Sequence, residues 1–240
     1  AAVQVHVHPV ESAEAFWRLI DQQLVQWQRD GEAGLLLALV ADSHLSPAEV
    51  DRWQSRGELF SGQQQNGRVP GEGAAALLLA SPAWPKLPDA LPPMAWLHRA
   101  GVFERQKSAD AAGRISADTL QQAVAYTLKA AHADASALSH ITTDADHRAS
   151  RTGEVFQALQ ELAPQIDPME QVLRLGAGCG DLGIARLAVA TALAAAQVAE
   201  SDEPGLVLGT FDPLARLALL VTPPRAPAAP DTAAAEPAAA

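Results

Sequence analysis

The sequence predicts an α/β protein in which helices cover the faces of layered sheets. Three observations support this prediction: continuous apolar runs typical of buried strands, longer amphipathic segments between them, and glycines or prolines where the two alternate. The composition agrees, because 48% of the 240 residues are hydrophobic and 19% are charged. This length suffices for one large domain or two small ones.

Charge and composition exclude several classes of function. The formal charge of −11, with no basic run, argues against a surface for nucleic acid or anionic membrane. A single cysteine excludes a disulfide framework, and His6 and His8 lack a third ligand at metal-binding spacing, so we expect neither metal nor cofactor. The sequence shows no signal peptide and no apolar run of about 18 residues, which predicts a cytoplasmic protein without membrane insertion.

The first part of the chain predicts two strands and two helices. Residues 3–7 alternate valine with polar side chains and predict a half-buried strand. Apolar residues at helical spacing after Ser12 predict a helix that ends at Gly31. The continuous apolar run 35–40 predicts a buried parallel strand, and a second helix begins at Pro47.

The turn formed by Pro70, Gly71, Glu72 and Gly73 is the feature around which we expect the chain to fold. Pro70 fixes the entry to the turn, and the two glycines permit a positive φ or a close approach of another backbone. The apolar run 74–79 follows at once and predicts a strand buried on both faces. We interpret Glu72 as a structural residue of the turn.

After this strand, residues 83–93 are rich in proline and predict a connector. The elements expected next are, in order, a strand within 94–106, a helix over 117–132, a strand over 138–143, a helix over 148–162, a short strand over 172–175, a buried helix over 182–199 and a hairpin of 206–210 with 214–221. Residues 223–240 are rich in proline and alanine, which predicts a disordered tail.

The turn and strand that begin at Arg68 resemble those of the β-ketoacyl-acyl-carrier-protein synthases, members of the thiolase superfamily. Other segments resemble the family too, one before this turn and four after it, and all occur in the family's order: 39–47, 96–106, 141–154, 180–185 and 206–221. The resemblance is collinear over residues 3–222 and implies a thiolase-like, layered α-β-α-β-α fold that lacks the first part of its N-terminal repeat. The implied divisions are the remainder of the first repeat (1–82), the connector (83–93), the second repeat (94–222) and the tail (223–240).

Synthases of this family use a cysteine at a helix N-terminus and two histidines. The resemblance places these positions at or near Val5, at Thr143 and at Asp181, so the required side chains are absent. It implies a non-catalytic binding scaffold: a partner subunit of a synthase, or an adaptor such as a bacterial secretion-system accessory protein. The alternative is an acyl-thioester-handling enzyme with an altered active site.

The residual cleft implied by the resemblance contains Cys179, Asp144, Asp181 and Phe211. Cys179 lies in a glycine-rich turn before a helix, a setting that can lower a thiol pKa, although a small residue tolerated in a tight turn is the alternative. The polar cluster that starts at Asp144 follows a strand end, where sites in α/β proteins lie. A helix-entry network with the arginines that follow is its alternative.

The resemblance also implies how the chain associates. Dimers in the family form by pairing edge strands beside the nucleophile helix, and residues 3–7 resemble that strand. An unpaired edge without lysine is a template for another strand. We therefore expect a homodimer, a heterodimer with a synthase-like subunit, or a complex with an effector protein.

Overall fold

The structure, a computed structural model, describes residues 4–84, 93–113 and 115–224. Its helices are α1 (Ala13–Asp30), α2 (Pro47–Ser55), α3 (Asp118–Ala130), α4 (Ala149–Leu162), α5 (Leu175–Cys179) and α6 (Arg186–Ser201). Its strands are β1 (Leu35–Ser43), β2 (Glu72–Ala80), β3 (Trp96–Leu97), β4 (Gly101–Glu104), β5 (His140–Thr143), β6 (Val172–Arg174), β7 (Gly205–Gly209) and β8 (Ala215–Thr222). Two 3₁₀ turns lie at Ala135–Ala137 and Gly183–Ala185.

The strands form two sheets from different parts of the chain. β1 and β2 pair antiparallel, from Leu35 opposite Ala80 to Ser43 opposite Glu72. The other strands form a six-stranded mixed sheet in which β6, β5, β7 and β8 follow one another, and β3 and β4 both pair with β8. β5 is parallel to its neighbours, whereas β8 is antiparallel to all of its partners.

Helix α6 is the centre of the layered arrangement because it contacts both sheets. The core around α1 and α6 joins Val40 and Leu77 of the small sheet to Leu219 of the large one. α3 and α4 cover the opposite face of the large sheet, where Leu120 and Val155 are buried. The described chain thus forms layers of sheet, helix, sheet and helix.

Helix α1 forms as the sequence predicts. The Ser12 hydroxyl accepts a hydrogen bond from the backbone N–H of Ala15 at 3.0 Å, which caps the N-terminus. Gly31 ends the helix in the left-handed region, at φ 66°. Phe16 and Ile20 lie on the buried face and pack in the core between the sheets.

The strand predicted for residues 3–7 is wrong for the isolated chain. Residues 4–9 form no regular secondary structure, and they pair with no strand of the described chain. Val5 and Val7 are 82% and 90% exposed. Alternation decides which side each residue faces, but a strand also needs a neighbouring edge to satisfy its backbone groups.

Both apolar runs, 35–40 and 74–79, form strands, but the burial predicted for each and the parallel direction predicted for 35–40 are wrong. The two strands pair antiparallel with each other, and the described residues cover only one face of the pair. Val40 and Leu77 are buried on the covered face, whereas Leu39 is 67% exposed on the other. A continuous apolar run does not distinguish burial on one face from burial on two.

The second half follows the predicted order of elements with shifted bounds. The helices α3 and α4 and the β7–β8 hairpin are confirmed. The strand expected within 94–106 is divided into β3 and β4, and residues 176–179, expected in a turn, belong to the short helix α5. Most of the connector (85–92) and of the tail (225–240) lies outside the described residues. The division into two repeats stays a prediction.

One helical segment among the described residues, Gly183–Ser201, is long and apolar enough to cross a membrane by length and composition alone. It consists of the second 3₁₀ turn and α6. Leu187, Ala190 and Ala194 in it are fully buried in the core between the sheets. The apolar composition is therefore what a helix enclosed by two sheets requires.

The two sheets meet at the turn that precedes β2. Pro70 forms a parallel β-bridge with Asp181, and the backbone N–H of Asp181 donates to the carbonyl oxygen of Val69 at 2.8 Å. A Cβ placed on Gly71 would lie closer than 3.0 Å to the carbonyl oxygen of Cys179. This glycine is required by the close approach of two backbones.

Gly73 differs from Gly71, although the sequence gives both the same role. A Cβ on Gly73 would first meet the flexible side chain of Leu182, at 3.3 Å. Neither glycine has a positive φ. The structure therefore assigns the steric constraint to Gly71.

We predict that Gly71→Ala destabilises the protein, whereas Gly73→Ala is close to neutral. The added methyl group at position 71 meets backbone atoms that cannot move independently, and overpacking of this kind costs about 1–3 kcal/mol. Urea unfolding of the two variants measures the difference. Equal midpoints for the two variants would contradict a close approach of the backbones at Gly71 and Cys179.

Candidate functional site

Helix α1 begins after Val5, the position at which the family resemblance places the nucleophile, and the first turn of α1 contains Glu14. The carboxylate of Glu14 is buried and accepts two hydrogen bonds of 2.8 Å from Nη2 of Arg186. A carboxylate in the first helical turn is also favoured by the positive end of the helix dipole. Val5 lies upstream of α1 in an exposed segment without regular secondary structure, so it is not at a helix N-terminus in this structure.

Arg186, the first residue of α6, lies between two carboxylates. Its Nε donates to Oδ2 of Asp144 at 3.1 Å, and its Nη1 donates to the carbonyl oxygen of Gly183 at 2.9 Å. Burial disfavours the charge on Arg186, but Glu14 and Asp144 more than offset this, so its pKa is raised. The guanidinium is therefore a permanent cation inside the protein.

Asp144 follows β5 and is also inaccessible. Its Oδ1 accepts hydrogen bonds from the backbone N–H groups of Thr210 and Phe211, at 2.6 and 3.0 Å. Burial raises the pKa of Asp144, whereas Arg186 and the two N–H donors oppose that rise. The Phe211 ring is buried and lies 5.3 Å from the guanidinium of Arg186. Asp144 and Phe211 thus lie together in the protein interior, where the carboxylate of Asp144 is hydrogen-bonded within the chain.

Both carboxylate oxygens of Asp181 accept hydrogen bonds from other groups of the chain. Its Oδ1 accepts from the backbone N–H of Gly183 at 2.9 Å, and its Oδ2 lies 3.3 Å from Nη1 of Arg68. His44 lies at 3.9 Å from the same carboxylate, and Arg68 lies over the ring of Trp53. These contacts lie where the turn before β2 meets Asp181, and they hold the two sheets together.

Thr143, which the resemblance aligns with a catalytic histidine, is buried at the end of β5. A threonine hydroxyl cannot replace a histidine as a base. The Thr143 hydroxyl accepts a hydrogen bond from the backbone N–H of Ala145 at 3.2 Å. The hydroxyl therefore serves the turn that follows the strand.

Cys179 is separate from this buried network and exposed to solvent. It lines a shallow depression of about 410 Å³ together with Phe60, Val69–Pro70, His147 and the backbone of Gly176–Gly180. Because Cys179 ends α5, the nearest helix end is the carbonyl end, which favours cations over a thiolate. The expected setting at the start of a helix is not what the structure shows.

His147 is the nearest candidate base in that depression. Its ring lies edge-on to Phe60, with centroids 4.8 Å apart, and its Nε2 lies 3.2 Å from the carbonyl oxygen of Gln65. No group of three histidine, cysteine or acidic side chains within the described residues is placed to hold a metal ion. His6 and His8 stack on each other at 6.2 Å in the exposed N-terminal segment.

Sequence reasoning did not identify Glu14 and Arg186, which form a buried ion pair. The sequence does contain a feature that could have indicated each of them. Glu14 lies among the buried positions of α1, and Arg186 begins a helix that otherwise has no basic residue. A charge at the edge of an apolar helix face needs a buried partner of opposite sign.

Comparisons with known proteins confirm the predicted fold. No protein-family model and no curated protein matches the sequence, but many solved structures are similar to this chain in fold. One is a type II polyketide synthase acyl-carrier protein in complex with its ketosynthase (TM-score 0.66, 16% identity, covering 88% of this chain and 61% of that one). Another is the ishigamide ketosynthase/chain length factor (TM-score 0.60, 21% identity, 85% and 54%). A third is 3-oxoacyl-(acyl carrier protein) synthase III from Pseudomonas aeruginosa (TM-score 0.54, 14% identity, 90% and 67%).

The chain therefore has a thiolase-like layered fold similar to that of these ketosynthase structures. Because the identities are low, these matches establish the fold alone. The chain spans 61% and 54% of the length of the first two structures.

We predict that Glu14→Ala strongly destabilises the protein. The substitution leaves the buried Arg186 with Asp144 as its single carboxylate partner, and breaking a buried pair in this way costs about 3–5 kcal/mol. The matched control is Glu104→Ala, which removes an exposed pair with Arg18 and costs about 1 kcal/mol or less. Urea unfolding compares the two. Similar midpoints for both variants would contradict a structural role for the buried network.

Proposed function

We propose that this protein is a non-catalytic, ketosynthase-like scaffold that binds a protein partner. The observation that carries the proposal is the closed network of Glu14, Arg186 and Asp144 beside the start of α1. Each carboxylate there is buried and hydrogen-bonded within the chain. A nucleophile or general base must instead reach its substrate at hydrogen-bond distance.

The positions that correspond to the family's catalytic side chains support the same proposal. Thr143 and Asp181 make hydrogen bonds to neighbouring backbone N–H groups, and neither is accessible. Cys179, the one thiol of the chain, lies at the carbonyl end of a five-residue helix. The chemistry of a condensing enzyme is therefore not assembled at either place.

The structural neighbours and the N-terminal segment support a proposal for the class of partner. One similar structure is a ketosynthase/chain length factor and another is a ketosynthase complex with its acyl-carrier protein. In this chain, residues 4–9 expose Val5 and Val7 and pair with no strand of the described chain. We propose that this segment pairs with the edge of a synthase-like chain or of a second copy.

An acyl-thioester-handling enzyme is the second candidate, because Cys179 and His147 line one exposed depression with Phe60. A thiol there would accept the acyl group of a thioester and release the thiol of the donor. This candidate does not use the buried network. The same experiment can therefore test the two candidates separately.

We expect no malonyl-thioester decarboxylation above background and no rapid acylation of Cys179. Decarboxylation is followed by carbon dioxide release, and acylation by intact mass after incubation with an acyl thioester, with Cys179→Ser as the control. The expected acylation rate equals that of a simple free thiol at the same pH. A decarboxylation rate above background that is lost in Asp181→Ala, or fast stoichiometric acylation that is lost in Cys179→Ser, would establish an enzyme.

We predict that association depends on the N-terminal segment. Light scattering should show a dimer of the chain alone, or a heterodimer once an intact synthase-like subunit is added, and Val5→Lys should abolish it by placing a charge on the pairing strand. Met169→Lys is the matched control, because Met169 is also highly exposed but lies in another region. A monodisperse monomer that stays monomeric with the added subunit would refute this mode of association.

A further inference from the structure

Two arginines at the start of α4, Arg148 and Arg151, lie beside the loop between β4 and α3, which carries Asp110. The Oδ1 atom of Asp110 lies 2.9 Å from Nη1 of Arg151 and 3.5 Å from Nη1 of Arg148. Both arginine side chains are buried, whereas the side chain of Asp110 is 51% exposed. One oxygen of an exposed carboxylate is thus held between two buried cations.

The hydrogen-bonding capacity of Arg151 is not filled by these contacts. Its Nε donates to the carbonyl oxygen of Phe211 at 3.0 Å, and its Nη1 donates to the hydroxyl of Ser150 at 2.9 Å as well as to Asp110. Its Nη2 is buried and has no hydrogen-bond partner within the described part of the chain. A buried donor without an acceptor is costly and rare in folded proteins. An additional acceptor oxygen would therefore stabilise this guanidinium.

The buried carboxylates nearby are committed to other arginines. Asp146 accepts from Nε of Arg148 at 2.7 Å and from its backbone N–H at 3.0 Å. Glu154 lies 2.7 Å from the guanidinium groups of both Arg105 and Arg216. Two buried carboxylates thus serve three arginines, which leaves the exposed carboxylate on the loop as the acidic partner of the fourth.

The contrast with Arg186 shows what Arg151 lacks. Arg186 lies between two buried carboxylates, which raise its pKa in spite of its burial. The pKa of Arg151 is lowered, first by burial and then by the positive charge of Arg148, and Asp110 does not offset this. Arg151 therefore has less negative charge beside it than the burial of its side chain requires.

The N-terminus of α4 adds to the positive charge at this place. The helix has 14 residues, its N-cap residue Arg148 makes no side-chain capping bond, and its first turn contains no acidic residue. A helix N-terminus has a partial positive charge and favours anions. An anion held by Arg148 and Arg151 would compensate the helix end together with the two side chains.

The charge imbalance determines which anion fits best. A carboxylate from another molecule would replace Asp110 one for one and add no charge. A phosphate monoester carries a charge of about −1.5 to −2 at pH 7 and has three strong acceptor oxygens. A guanidinium binds such a group through two parallel hydrogen bonds. A phosphate group therefore supplies both the second charge and an oxygen for Nη2 of Arg151.

We propose that Arg148 and Arg151 form a binding site for a phosphate monoester or for inorganic phosphate, and that the carboxylate of Asp110 competes with this ligand from within the chain. Ala109 is buried, and its backbone N–H donates to the carbonyl oxygen of Pro213 at 2.8 Å. The loop therefore stays anchored when the side chain of Asp110 turns out to solvent. This site is independent of the scaffold function proposed above.

Isothermal titration calorimetry tests the site, with inorganic phosphate and phenyl phosphate as titrants of the whole chain. Asp110→Ala should bind phosphate about ten-fold more tightly than the unmodified protein, because the competing carboxylate is gone. The matched control is Glu104→Ala, which removes a carboxylate from the exposed Arg18 and should leave the affinity unchanged. Adding Arg151→Met to Asp110→Ala should weaken binding about ten-fold, because the charged hydrogen bonds to the ligand are lost.

Circular dichroism melts show whether each variant is folded. The comparison of Asp110→Ala with Glu104→Ala decides the question even if the variant with Arg151→Met does not fold. Binding of both titrants identifies a phosphorylated compound as the ligand, and binding of inorganic phosphate alone identifies the free ion; either result supports the site.

Four results would overturn the proposal. They are the absence of saturable phosphate binding to Asp110→Ala, equal affinities of Asp110→Ala and Glu104→Ala, affinity retained by the folded double variant, and acetate that binds Asp110→Ala as tightly as phosphate does.

Discussion

The buried guanidinium of Arg186 is the interaction on which the arrangement of the layers depends. It joins α1 through Glu14, the end of β5 through Asp144, and the turn before α6 through the carbonyl oxygen of Gly183. A buried charge is tolerated only where opposite charges and hydrogen bonds replace the water it has lost. This requirement ties α1 to the large sheet, since moving Glu14 away would remove one of the two carboxylates that compensate the charge of Arg186.

We propose that the same constraint separates this protein from its structural neighbours in function. A site that processes an acyl chain needs space and a free nucleophile, whereas the interior beside the start of α1 holds the paired charges of Arg186 and the ring of Phe211. Exposed apolar surfaces lie elsewhere, on the N-terminal segment and on the outer face of β1–β2. Under this proposal, a partner binds on the outside of the fold.

Much of the fold could be predicted from the sequence because local signals and tertiary packing agree. Ser12 and Gly31 bound α1 as capping residues, and Ser46 caps α2 with Pro47 in its first turn. The alternation in residues 3–7 was misleading, since a strand depends on an edge that local sequence does not contain. The apolar runs of β1 and β2 predict burial on both faces, but burial depends on which layers pack against each face of the sheet. The local sequence does not contain that information.

The site was harder to predict than the fold. The resemblance located Asp144, Asp181 and Phe211 near one another, but it could not show that Arg186 fills the space beside them. Partners such as Glu14 and Arg186 are 172 residues apart in the sequence, and pairing over that distance leaves no local pattern. The sequence predicts a glycine-rich turn at Cys179, before a helix, because the short helix α5 that Cys179 ends has the composition of a turn.

The central claim is that paired charges close the interior where a ketosynthase would have its active site. A crystal structure of the protein soaked with an acyl-thioester analogue tests this claim most directly. The account predicts that the guanidinium of Arg186 lies between Glu14 and Asp144 and that no analogue density is present beside Phe211. An analogue bound between Asp144 and Phe211, with Arg186 displaced, would contradict it.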